Sequence, residues 1–235
     1  MYRSPLVEDE IYHIYNRGVE KRNIFLEDED YLRFIHDLFE FNDEALAQSS
    51  NIRFSLRCPA QAKITHLNQC LGTRSPNIGK RKLLVEILVF VLMPNHFHLI
   101  LKQKKENGIA KFMHKLGSGY ATYFNQKYKR VGGLFQGRFK AIHINKEAYF
   151  THLPFYIHAN PLKILKSSGS QISQLEKYRW SSFQDYVGIK NFPSLTSREL
   201  FLDFFGGEEK YLEQTKQWIK ERKNNFQKIK EIILE

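Results

Sequence analysis

Apolar positions along the chain switch between two periods. In "EIYHIYNRG" (10–18) β-branched and aromatic residues crowd together and stop at Gly18, the pattern of a strand. In "LEDEDYLRFIHDLFEFN" (26–42) Tyr31, Phe34, Ile35, Leu38 and Phe39 recur at helical spacing. Asp28, Glu29 and Asp30 crowd the first turn of that helix, where the macrodipole favours acids. Two apolar strands follow, 83–92 and 96–102, joined by the turn formers Pro94 and Asn95. A helix is expected over 108–130, with Ile109, Phe112, Met113, Leu116, Tyr120 and Phe124 as its stripe and Gly117 and Gly119 weakening its middle. "VGGLFQGRFKAIHI" gives a loop and a strand ending at Ile144. "NKEAYFTHLPFYIHANP" reads as a helix capped by Asn145 and stopped at Asn160–Pro161.

The order strand, helix, strand, strand, helix, strand predicts an α+β fold. It is the ferredoxin-like βαββαβ unit, an antiparallel sheet with helices on one face. The pattern dissolves between 43 and 81, which reads as a long insertion. We expect one domain over 1–165 that carries this insertion. Residues 166–235 form a peripheral helical extension of the same unit.

Composition narrows the partner. With 235 residues and 42% apolar content the chain can bury a core. Lys and Arg number 36 against 25 acids, a formal net charge of +11, which favours a polyanion and nucleic acid first of all. Cys58 and Cys70 lie outside any CxxC, so neither a zinc ribbon nor a disulfide framework is indicated. The longest apolar run, "LLVEILVFVLM", is too short for a bilayer and contains Glu86. The expectation is a cytoplasmic protein with no membrane partner.

The chemistry centres on "MPNHFHLIL" (93–101). Side chains alternate in a strand, so His96 and His98 share a face while Phe97 anchors the other. The two imidazoles could hold one ion, or simply line a half-exposed strand. In the "NKEAYFTHLPFYIHANP" helix, Tyr156 and Asn160 are four apart and stack on one face. Asn160 offers a carbonyl oxygen suited to Mg²⁺ or Mn²⁺, and Tyr156 a phenol able to attack phosphorus. Pro154, two residues before Tyr156, either kinks this helix or marks a later start. Tyr120, Tyr123 and Tyr128 compete as nucleophiles. His13 and Arg17 share a face of the first strand, which neighbours the histidine strand in this fold, and Arg17 is a candidate phosphate contact. Lys127, Lys129, Arg130, Arg138 and Lys140 interleave with Tyr128, Phe135 and Phe139, the kit that grips phosphates and stacks bases of single strands.

Taken in order, "YHIYNRGVEKRNIF", "VLMPNHFHLIL", "GGLFQGRFK", "FYIHANP" and "YRWSSF" resemble the single-tyrosine HUH transposases, and more closely the REP-associated tyrosine transposases. The resemblance spans roughly 10–186 apart from the insertion. It implies a metal held by His96, His98 and Asn160, Tyr156 as nucleophile, hairpin-bearing single-stranded DNA as substrate and a 5′-phosphotyrosine intermediate. A homodimer is compatible with it. Two other classes stay open: a non-catalytic hairpin binder descended from a transposase, and a phosphodiesterase that uses water.

Overall fold

The computed structural model describes residues 6–44, 81–165 and 169–221. Most of the insertion, both cysteines and the last basic stretch of the tail lie outside the described residues. Strand β1 (Ile11–Arg17) leads through a short 3₁₀ turn (Val19–Lys21) to helix α1 (Asp28–Glu40). Next come β2 (Val85–Met93), β3 (His96–Gln103), α2 (Gly108–Lys127), β4 (Lys140–His143) and α3 (Glu147–His158). A second 3₁₀ turn (Asn160–Lys163) opens the extension, which holds α4 (Gln171–Lys177), α5 (Phe183–Tyr186), α6 (Glu199–Phe205) and α7 (Glu208–Lys220). The four strands form one antiparallel sheet in the order β2-β3-β1-β4. The expected α+β fold and the βαββαβ element order are both present.

Each helix and strand has a local cause. Helix α1 starts at Glu27, whose side chain forms a capping box with Asp30. The β2–β3 hairpin turns at Pro94–Asn95, and this turn is pinned from outside: the amide of Ile24 donates to the Pro94 carbonyl at 2.8 Å and that of Gly18 to the Asn95 carbonyl at 2.9 Å. A bulge between Ile87 and Val89 resets the alternation of β2. Val85 and Ile87 therefore share a face with Phe90 and Leu92, while Val89, Val91 and Met93 point the other way. Gly119 weakens α2 for a packing reason: a Cβ there would lie 2.6 Å from the ring of Phe41.

The sheet is covered on both faces, which corrects two expectations. Helices α1 and α2 pack on one face, over Ile14, Phe97, Leu99 and Leu101. Helix α3 packs on the other, over Val89, Val91 and Ile100, together with Phe183, Tyr186, Phe201 and Tyr211 of the extension. The extension is therefore not peripheral. It wraps the free edge of β2: the amide of Leu92 donates to the Trp180 carbonyl at 2.8 Å, that of Ser182 to Phe90 at 3.0 Å, and that of Ser197 to Ile87 at 2.9 Å. Trp180 then stacks on Tyr31 of α1 at 4.6 Å between ring centres. Helix α3 differs from expectation at its start, where the cap is Lys146 rather than Asn145, and it runs unbroken through Pro154 to His158, just before the expected stop at Asn160–Pro161. Among the described residues no helix is long and apolar enough to cross a membrane.

Candidate active site

The register of the sheet assembles the site face. Tyr15 on β1 lies opposite both His98 on β3 and Lys140 on β4, so these three side chains form one row. Arg17 lies opposite His96 in the next row, and His13 opposite Ile100 in the row behind. Phe97 points the other way and packs against Phe34 of α1 at 5.1 Å between ring centres, as the alternation predicts. The ring centres of His96 and His98 are 5.2 Å apart.

Both histidines are held through Nδ1. His96 Nδ1 meets the Asn95 side-chain oxygen at 2.6 Å, so it is the donor there. His98 Nδ1 meets His13 Nε2 at 2.8 Å, and His13 Nδ1 meets the Tyr149 hydroxyl at 2.7 Å. His13 and Tyr149 are buried, and neither role is visible from motif spacing alone, because 136 residues separate them. Burial first, then the charges of Lys163 and Arg17, pushes His96 down to about 4. Burial likewise holds His98 well below the ordinary histidine value, with His13, His96 and Lys163 adding to the effect. Both rings are therefore neutral at neutral pH, the form that ligates a metal.

Tyr156 comes to this face from α3. Its ring stands edge-on to His98 at 6.0 Å between centres. Burial, and then the neighbouring Tyr15, raises its phenol above the ordinary tyrosine value. Asn160 reaches the same place by a different route from the one expected. It does not share a helix face with Tyr156, since α3 ends at His158 and Asn160 opens the 3₁₀ turn. Its side-chain nitrogen instead donates to the Tyr156 carbonyl at 2.9 Å, closing the last turn of the helix. Its oxygen accepts from Lys163 Nζ at 2.8 Å. Lys163, which sequence reasoning missed, also lies over the Tyr156 ring at 5.1 Å.

Among the described residues no three His, Cys, Asp or Glu side chains converge on one point. A metal here needs a donor of another kind, and Asn160 supplies one. His96 and His98 keep Nε2 for such an ion, and the Asn160 oxygen already faces a cation, the Lys163 ammonium. In donor chemistry, two imidazoles and an amide oxygen suit a divalent ion, with the exposed Lys163 side chain displaced from that oxygen.

The basic candidates separate. Arg17 and Lys140 lie on the site face, with Arg17 Nε donating to the Gln136 side chain. Arg138 lines a cavity of about 530 Å³ between α2 and the 131–139 loop, beside Asn16, Phe97, Phe135 and Phe139. Lys129 is exposed, whereas Arg130 donates to the Asn125 side chain at 3.2 Å. Lys127 departs from expectation: its ammonium sits 2.6 Å from Glu27, 2.9 Å from Glu29 and 3.0 Å from Asp30. Its charge is neutralised within the protein, so the geometry gives no reason to assign it to DNA. The rival tyrosines also fall away from the histidines. Tyr120 is buried and donates to the Ile24 carbonyl at 2.5 Å, and Tyr123 and Tyr128 donate to Asp30 on the α1 side of the sheet.

A histidine pair, a tyrosine and two cations thus gather on one face of an antiparallel sheet. Residues 75–160, which hold β2, β3, α2, β4 and α3, match the family model described as transposase, IS200 like. The chain is also similar to a solved structure of a REP-associated tyrosine transposase bound to a REP hairpin, at 16% identity and a TM-score of 0.45, over 84% of this chain and 90% of that one. No curated protein matches the chain.

Proposed function

We propose that the protein cleaves and rejoins single-stranded DNA at hairpin-bearing sequences, with Tyr156 as nucleophile. The observation that carries this reading is that Tyr156 and His98 meet on one face, 6.0 Å apart between ring centres, within a stretch that matches the IS200-like transposases. The Tyr156 oxygen would form a bond to phosphorus as the bond to the 3′ oxygen breaks. The phenol gives up its proton and the departing 3′ oxygen takes one. Attack by a 3′ hydroxyl on the phosphotyrosine reverses the exchange, one phosphodiester for another, so no nucleotide hydrolysis is required. Mg²⁺ or Mn²⁺, held by Nε2 of His96 and His98 and by the Asn160 oxygen, would polarise the phosphate and offset charge as it develops. Arg17 and Lys140, in adjacent rows of the same face, would receive the flanking phosphates. The raised phenol means that Tyr156 is not a ready-made phenolate and that deprotonation accompanies attack.

The test incubates the protein with labelled single strands containing a hairpin, with Mg²⁺ or Mn²⁺. An adduct that survives denaturation and maps by mass spectrometry to the "FYIHANP" peptide is the expected result. Binding without cleavage would identify a hairpin-binding protein. Cleavage without any adduct would identify a phosphodiesterase that uses water.

A further inference from the structure

We propose that His13 and Tyr149 form a buried relay that fixes the tautomer of His98, so that its Nε2 lone pair is the one presented to the metal. The inference rests on the metal reading above and names two positioning residues for it.

Tyr149, His13 and His98 make two consecutive hydrogen bonds, at 2.7 Å and 2.8 Å. His13 is 1% exposed and Tyr149 1%. A neutral imidazole carries one donor and one acceptor, so the two bonds must run in the same sense. In one sense the tyrosine donates to His13 Nδ1, His13 Nε2–H donates to His98 Nδ1, and the remaining proton of His98 sits on Nε2. That form cannot ligate a metal through Nε2. In the other sense His98 Nδ1–H donates to His13 Nε2, His13 Nδ1–H donates to the Tyr149 oxygen, and Nε2 of His98 is a lone pair. His96 already shows the second form, since its Nδ1 faces the Asn95 oxygen and can only donate. Only the second sense leaves Nε2 of both histidines as a lone pair.

The choice of residue types follows from burial. A metal-bound histidine is commonly oriented by a carboxylate or a backbone carbonyl. A carboxylate at the His13 position would be a buried charge, costly unless paired. Imidazole backed by phenol orients His98 with no net charge. Sheet register supplies the rigidity, because His13 is a diagonal neighbour of His98 on the adjacent strand, its ring nearly parallel at 22° and 5.0 Å away.

Two measurements test the relay. Long-range proton–nitrogen NMR of the imidazoles in the metal-free wild-type protein should place the proton of both His13 and His98 on Nδ1. A proton on His98 Nε2 overturns the proposal without any variant being made. Calorimetric titration with Mn²⁺ should then show His13→Phe weakening the ion by about 10- to 100-fold. His13→Gln, whose amide oxygen can accept from His98 Nδ1, should recover most of that affinity. Thermal melting and hairpin binding without metal report whether each variant is folded. Equal Mn²⁺ affinity in the wild type and in His13→Phe overturns the relay and leaves the metal site standing. A wild-type protein that takes up no Mn²⁺ overturns the metal reading itself, and the relay with it.

Discussion

Tyr156 and Lys163 define what single side chains contribute at this site. Tyr156→Phe removes one oxygen and keeps the ring against His98, so hairpin binding should survive while the covalent adduct and strand transfer vanish in a denaturing gel. An adduct that persists in the variant would move the nucleophile elsewhere. Lys163 holds the oxygen proposed for the metal, and a unit charge about 4 Å from a divalent ion is repelled by about 2 kcal/mol even in bulk water. Lys163→Ala should therefore tighten Mn²⁺ by roughly 30-fold in a calorimeter, while weakening the single strand whose phosphate the ammonium would otherwise meet. A weaker ion in this variant would show that Lys163 props Asn160 rather than competing at it. His96 and His98 were legible from the sequence because alternation in a strand is a local rule. Lys163 was not, since "NP" reads as a helix stop and nothing local says that the chain turns back over Tyr156. Tyr149 was not either, because its partner lies on β1 and only the docking of α3 brings them together.

At the level of the element, α3 is held from behind as well as in front. Its last residue, His158, is fully buried: Nδ1 meets the Tyr211 hydroxyl of α7 at 2.7 Å and Nε2 meets the Ser182 hydroxyl at 2.8 Å. Ser182 in turn accepts from the amide of Phe90 at 3.0 Å, so one imidazole ties the helix that carries Tyr156 to both the extension and β2. Burial pushes His158 down to about 3, against 6.5 for the free side chain. Between those values the unfolded chain binds a proton that the folded chain refuses, so stability is complete above pH 6.5 and falls as the pH drops through this window. From pH 7 to pH 5 this group should remove about 2 kcal/mol, read as a falling denaturation midpoint. His158→Gln should flatten that part of the profile, and an unchanged slope would assign the acid sensitivity to other groups. The strands and α1–α3 were readable because their periodicity is strong. The placement of the extension was not, because its short helices carry aromatic anchors such as Phe183 and Tyr186 without a pattern that says which surface they meet.

Across the whole molecule the net charge of +11 divides into cations turned outward and cations already matched. Arg138→Ala with Lys140→Ala should lower the slope of log affinity against log salt for single-stranded DNA, by about 0.7 for each phosphate no longer neutralised. Lys127→Ala should leave that slope alone and cost stability instead, about 2 kcal/mol, because buried Asp30 loses its ammonium partner while keeping the hydroxyls of Tyr123 and Tyr128. A changed salt slope in Lys127→Ala would return that residue to the DNA surface. The basic strip was legible in composition, but its division was not, because it depends on acids of α1 almost one hundred residues earlier.

The covered edge of β2 has a consequence for how the chain is made. "VEILVFVLM" is nine residues of strongly strand-forming, nearly uncharged sequence, and beyond Val85, which Asn42 caps, its outer rim finds its partners between Tyr178 and Ser197. A ribosome adding about 5–20 residues per second therefore releases this strand several seconds before its cover. For that interval an unpaired apolar edge faces the cell, open to pairing with the same strand of another nascent chain. Chaperone engagement while the chain is still being translated, and clumping of any product cut short before Trp180, follow from this order of synthesis.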